Sequence, residues 1–153
     1  MTKKFIIPLI LVFILNSCGY SPIYSTKYQD FKFKNLSFNG ERDINKILSK
    51  SLDNYTDNTS AVNVYNITIN SSLQKNIVTK DKKGNPTQFS LSVNVDLIIE
   101  NDLENNIQTS FTEKNSYNNR DEKFELKIYE SNLIQNMSEK ILSDIILFIQ
   151  NLN

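Results

Sequence analysis

Few residues in this chain can do chemistry. Its 153 residues include no histidine, no tryptophan and one cysteine, Cys18. Without histidine, and with a single thiol, neither the usual nucleophile–base pairs nor a zinc ligand set can be built. Carboxylate pairs of the kind that hydrolyse glycosides stay open, but the 17 acidic residues scatter through turns and helix faces and no pair stands out. The three glycines, Gly19, Gly40 and Gly84, are too far apart for a phosphate-cradling loop. The composition argues against an enzyme, so no catalytic residue and no metal ligand is assigned. The one group with a reaction ahead of it is the Cys18 thiol.

What precedes Cys18 says which reaction. Lys3 and Lys4 open the chain, and Phe5 to Leu15 is an unbroken apolar run of 11 residues. A membrane-spanning helix needs roughly 20 such residues, whereas a charged start, a short apolar stretch and a small residue before the cut describe a secretory signal peptide. Leu15-Asn16-Ser17-Cys18 resembles a bacterial lipobox, with a branched residue three before the cut, a small one just before it, and cysteine after. In that motif the thiol takes a diacylglycerol and the freed amine is acylated. Several acyl chains turn marginal membrane binding into stable anchoring. Acylation also occupies a thiol that has no disulfide partner. Gly19, where an Asp retains many lipoproteins in the inner membrane, favours the outer membrane. The competing reading is an ordinary signal peptide with an incidental cysteine.

Residues 1–17 are therefore expected to be a cleaved signal peptide and 18–28 a lipidated linker. Residues 29–153 are then one domain, long enough for a core of its own. Removing Lys3 and Lys4 leaves 15 basic against 17 acidic residues, a formal charge of minus two, and gives no basic excess for nucleic acid. Asparagine is abundant and Ala61 is the sole alanine. A codon bias toward Ile, Lys and Asn accounts for that, and no function is attached to it.

The elements follow from periodicity. Ser21-Pro22-Ile23-Tyr24 is extended, since proline disfavours helix in the residue before it. Phe31 and Phe33 alternate with lysines, and the apolar phase then flips to Leu36 and Phe38, which predicts a bulge or a strand end near Asn35. Ile44, Ile47, Leu48, Leu52 and Tyr55 recur at helical spacing, predicting an amphipathic helix of about 15 residues. Tyr65, Ile67, Ile69 and Leu73 share one face of a strand, with Val62 and Val64 on the other phase suggesting a second irregularity. Phe89, Leu91, Val93, Val95, Leu97 and Ile99 give the clearest alternation in the chain. Between these two strands Lys80-Asp81-Lys82-Lys83-Gly84-Asn85-Pro86 is turn chemistry, so the pair forms a long hairpin with a charged tip. A weaker strand places Ile107 and Phe111 inward. From about Phe124 to Leu152 a helix presents Tyr129, Leu133, Met137, Ile141, Ile145 and Phe148, its stripe widening toward the end; Phe124 to Ile128 alone could also pass for a strand. Lys140 and Asp144 rule out a membrane span there. The order is β-α-β-β-β-α, and strands apolar on one phase only mean a sheet covered on one face. The fold class is α+β, a two-layer sandwich with two helices on one face of a roughly four-stranded sheet.

Cys18-Gly19-Tyr20-Ser21-Pro22-Ile23-Tyr24 resembles the mature start of the LptE family of lipopolysaccharide-assembly lipoproteins, in its alphaproteobacterial form. The predicted element order also matches that family. Its members usually have an alanine-rich C-terminal helix with arginines, where this chain has serines, lysines and isoleucines. The resemblance implies an outer-membrane lipoprotein, anchored on the periplasmic side, that helps the LptD β-barrel fold, plugs its lumen and assists lipopolysaccharide insertion. It implies as partners an LptD-like barrel, lipopolysaccharide and, through the anchor, the membrane. No cofactor is implied beyond the N-acyl diacylglycerol at Cys18. In this setting Lys80, Lys82 and Lys83 are the candidate contacts to lipid A phosphates or to acids lining the barrel. A solubilising hairpin tip is the simpler reading of the same lysines. Tyr20 and Tyr24 suit a membrane interface, or else pack the linker onto the domain. The alternative function is an unrelated envelope lipoprotein that binds a ligand or scaffolds the envelope.

The anchor is directly testable. Intact-mass analysis of the wild-type protein is expected to show Cys18 as the N-terminus with added acyl mass, and Cys18→Ser is expected to accumulate as an unlipidated precursor.

Overall fold

Alternation of apolar and polar residues builds four strands: β1 (Phe31–Gly40), β2 (Asn63–Lys80), β3 (Pro86–Glu100) and β4 (Asn106–Asn118). Helical periodicity builds α1 (Arg42–Leu52), followed by a 3-10 turn over Asp53–Tyr55, and the long α2 (Lys123–Gln150). The computed structural model describes residues 31–57, 59, 61–100 and 106–152. The expected signal peptide and linker, with Cys18, Tyr20 and Tyr24, lie outside these residues. The strands form one sheet in the order β1-β2-β3-β4. β1 and β2 are parallel, as the helical crossover between them requires, and the other two pairings are antiparallel. The fold is the α+β arrangement expected from the sequence.

The bulge in β1 falls where the phase flip predicts it. Phe33 pairs with Tyr65 and Asn35 with Asn66, leaving Lys34 as the additional residue. One extra residue resets the alternation, so Phe31, Phe33, Leu36 and Phe38 all reach the core. The irregularity expected at Val62 and Val64 is absent. Val62 precedes β2 and is exposed, while Val64 sits half-buried on the opposite face of an unbroken register. Two β-branched residues on the polar phase do not by themselves demand a bulge.

α1 is shorter than its apolar spacing suggests. Its α-helical part is 11 residues, and the Asp-Asn-Tyr turn beyond it tightens to 3-10 geometry, with Thr56 N–H and Oγ1 both donating to the Asp53 carbonyl. Short polar side chains near a helix end compete for backbone partners in this way. The tighter turn still carries Tyr55 inward, where its ring stacks on Phe31 with centroids 5.4 Å apart. The start of α1 is set by tertiary contacts, because Glu41 makes no side-chain cap. Glu41 N–H donates instead to the Ser71 carbonyl at 3.2 Å, and Ser71 Oγ lies 2.7 Å from Asn45 Oδ1. Gly40 turns this corner at φ 95°, and a Cβ there would stand 1.9 Å from the Ser71 oxygen. Only glycine allows that approach.

Both helices lie on one face of the sheet. Ile44, Leu48 and Leu52 of α1 and Leu133, Met137, Ile141, Ile145 and Ile149 of α2 share one buried cluster with Ile67, Ile69, Val93, Val95 and Leu97. The segment that could have passed for a strand is helical from Lys123, and Leu126 joins the core there. Toward its C-terminus α2 also buries Leu142 and Ile146, which widens its apolar face as expected. Among the described residues, no helix is long and apolar enough to cross a membrane.

The register predicts opposite responses on the two faces. Val95 is fully buried, whereas Ser92 is half-buried on the polar face. Val95→Asp is expected to cost several kcal/mol, on the order of a third or more of a marginal domain's stability. Ser92→Asp should leave the thermal melting curve nearly unchanged.

Candidate functional site

Three lysines gather at the hairpin end of the molecule. β1 pairs with β2 only as far as Gly40 opposite Ser71, while β2 and β3 continue together to Lys80 opposite Pro86. The turn that closes them is organised by Asp81. Its Oδ1 accepts the N–H groups of Lys83 and Asn85, both at 2.8 Å, and its Oδ2 accepts Asn85 Nδ2 at 3.0 Å. Backbone bonds from Asp81 N–H to the Asn85 carbonyl and from Gly84 N–H to the Asp81 carbonyl close the loop. Gly84 supplies the left-handed residue at φ 85°. The bonds from Asn85 hold the Asp81 carboxyl below its ordinary range. Lys80, Lys82 and Lys83 stand exposed around this turn. No ion pair of the described residues includes any of the three. The structure thus brings the three predicted lysines to one rigid tip.

Behind the tip lies a brace that sequence reasoning missed. Lys75 of β2 pairs with Glu130 of α2 and sets its ammonium 4.4 Å over the Phe89 ring. The same Glu130 oxygen accepts the Tyr117 hydroxyl at 2.6 Å. The Tyr117 ring lies 5.8 Å from Phe89 and 5.6 Å from Tyr129, whose ring also carries the Arg120 guanidinium at 4.6 Å. Burial, then the hydrogen bond to Glu130, push the Tyr117 hydroxyl well above the usual tyrosine range, so it stays a donor. Asn119 ties the β4–α2 connection to β3 through the Thr87 and Pro86 carbonyls. These groups come from β2, β3, β4 and α2, and no spacing in the sequence announces them. Their effect is to hold the first turns of α2 against the root of the hairpin.

The second surface is the uncovered face of the sheet, paved mainly with neutral hydrogen-bonding side chains that run in cross-strand rows. Asn35 Nδ2 donates to Asn66 Oδ1 at 2.8 Å and Asn39 Nδ2 to Asn70 Oδ1 at 3.0 Å. Thr112 donates to Asn94, and Ser110 to Asp96. Directly opposed residues on one sheet face meet in this way. Thr68, Ser72, Gln74, Ser92 and Gln108 fill neighbouring positions of the same phase. Acids elsewhere are engaged singly, as Glu113 is with Lys140. A cleft of about 490 Å³ between the two helices has Leu142, Ile146 and Tyr55 in its wall and brings no reactive set together.

Asp81 should matter to the tip and not to the fold. In Asp81→Ala the amides of Lys83 and Asn85 are expected to exchange faster with solvent, with the melting temperature essentially unchanged. A carboxyl held below its ordinary range supports the turn above that range. Amide protection of these two residues should therefore fall as pH drops through the lowered Asp81 titration.

No protein-family model matches the chain, and no curated protein matches it. Its fold is similar to those of several solved structures, among them the following two. One is the crystal structure of the rare lipoprotein B from Shewanella oneidensis, at TM-score 0.56 and 14% identity, covering 77% of this chain and 98% of that one. The other is the solution structure of an uncharacterized lipoprotein B from Nitrosomonas europaea, at TM-score 0.53 and 13% identity, covering 83% and 90%. What the chain shares with both is the fold.

Proposed function

We propose that this chain is a lipid-anchored outer-membrane component of the lipopolysaccharide export machinery, which assembles with and plugs an LptD-like β-barrel. The observation that carries the reading is the neutral, hydrogen-bonding face of the sheet. Most apolar strand residues are spent against the two helices, so the opposite face, apart from Val64 and Ile98, offers mainly amides and hydroxyls over four strands. The lumen of an outer-membrane barrel is polar, and a plug within it needs such a surface on a rigid support. The resemblance of Cys18 to Tyr24 to the LptE family supports the anchor and the setting, and the likeness to two lipoprotein folds agrees with both. The role is one of binding and assembly, without catalysis. The tip carrying Lys80, Lys82 and Lys83 stands beyond the last pairing of β1 and meets lipid A phosphates or acids of the lumen.

Isolation of the native protein tests the reading. Detergent extraction followed by mass spectrometry of co-purifying chains is expected to recover one large barrel in stoichiometric amount. A chain that comes out alone favours an unrelated envelope lipoprotein instead. Changing Lys80, Lys82 and Lys83 together to Ser should leave melting within about 0.5 kcal/mol per site. The same change should weaken association with the barrel or with lipopolysaccharide, most visibly at low salt, where exposed charges are least screened.

A further inference from the structure

We propose that the edge of β2 beyond Ser71 accepts an extended, acidic polypeptide segment of another protein as an added strand. The inference does not depend on the export role, because it rests on the backbone. β1 leaves β2 at Ser71, and from Ser72 to Lys80 the described residues pair with β2 on its β3 side alone. The Ser71 carbonyl accepts Glu41 N–H and so points to the β1 side. Backbone groups alternate sides along a strand, so Leu73, Lys75 and Ile77 present their N–H and C=O groups to the same open edge. Val78 is the additional residue where the β2–β3 register shifts, and it ends the regular stretch.

The other edges carry devices that discourage pairing along their length, whereas this one is regular from Ser72 to Ile77, with its bulge only at Val78. β1 has the bulge at Lys34, flanked by Lys32, and β4 has consecutive Glu113 and Lys114. Bulges and edge charges are how sheets avoid stray partners. In β2 the only charge between Ser72 and Thr79 is Lys75, and its ammonium is drawn back onto Glu130 and Phe89. The stretch instead exposes Ile77 by 47% and Val78 by 50%. An open backbone edge with an apolar side-chain contact is the recognition mode of strand addition.

Charge selects the partner. Lys80, Lys82 and Lys83 follow the open edge directly, and the Asp81 carboxylate among them is committed to the turn. A segment that pairs with Leu73 to Ile77 and carries carboxylates past Ile77 meets all three ammonium groups. A second copy of this chain pairing through the same edge would bring the same lysines.

The test uses the detergent-solubilised full-length protein and a fluorescent synthetic peptide of alternating valine and threonine ending in three aspartates. Binding is read by anisotropy at low salt. Ile77→Pro removes an outward N–H that the β2–β3 ladder does not use. It is expected to weaken binding about tenfold or more, while Ile77→Val stays within about twofold. The Lys80, Lys82 and Lys83 to Ser variant, and a peptide ending in three asparagines, should each bind more weakly. Independently of any variant, a peptide N-methylated at alternate residues keeps the side chains but cannot pair, and should not bind. Equal binding of the N-methylated and parent peptides overturns the proposal, as does the absence of saturable binding. A concentration-dependent dimer in sedimentation, lost in Ile77→Pro, assigns the edge to a second copy and overturns the acidic partner. Displacement of the peptide by inorganic pyrophosphate, with Ile77→Pro binding like Ile77→Val, reduces the tip to an anion site and also overturns it. None of these outcomes bears on co-purification with a barrel.

Discussion

The structure depends on the fact that one phase of each strand is far more apolar than the other. Leu91, Val93, Val95, Leu97 and Ile99 all point one way, and each is almost completely buried. Both helices must therefore be on that side, because the other offers little apolar surface, Val64 and Ile98 among mostly polar residues. Stacking two helices on a narrow sheet in turn explains the shape of α2. Its first half rests on β3 and β4 and buries a thin stripe, while its second half also meets α1 and adds Leu142 and Ile146 to the buried set. The same constraint leaves the far face of the sheet polar and open. The surface assigned to a partner is thus a by-product of how the core is filled.

The polar face is ordered by pairing across strands. Its groups are exposed, so water could take the place of a partner at little cost. The rows Asn35–Asn66, Asn39–Asn70 and Thr112–Asn94 pair with one another while keeping the surface wettable. Each such bond adds little to stability on its own account. Collectively they hold side chains in fixed rotamers, so a partner meets a set of donors and acceptors that is already arranged.

The hairpin end works by different physics. Beyond Ser71 the strand pair has no helix α1 beneath it and loses its β1 neighbour, so burial there is thin. Stiffness comes instead from Glu130, which receives both an ammonium and a phenol, and from rings stacked under Lys75 and Arg120. Interactions of this kind are individually modest at half-exposed positions. Their value lies in direction: they aim the hairpin and hold its open edge straight. The Asp81 turn then presents three lysines at the end of a braced lever.

Periodicity and turn chemistry by themselves determined the element order, the inward face of every strand, the bulge in β1, the hairpin and its lysine tip. These features are local, written in runs of a few residues whose alternation or spacing has one physical solution. Phe89 to Ile99 could be read with its register for that reason. Only the tertiary structure decided the corner at Gly40, because the need for glycine there arises from a Ser71 oxygen 31 residues away in sequence. It likewise decided the Lys75–Glu130–Tyr117 brace and the open edge of β2, since strand order and strand length together set where β1 stops. It also overruled the expected irregularity at Val62 and Val64 and shortened α1, because pairing partners and competing backbone bonds, which a single strand or helix does not reveal, chose those outcomes. Contacts between distant segments carry no periodic signature, so they become visible only once the chain has folded.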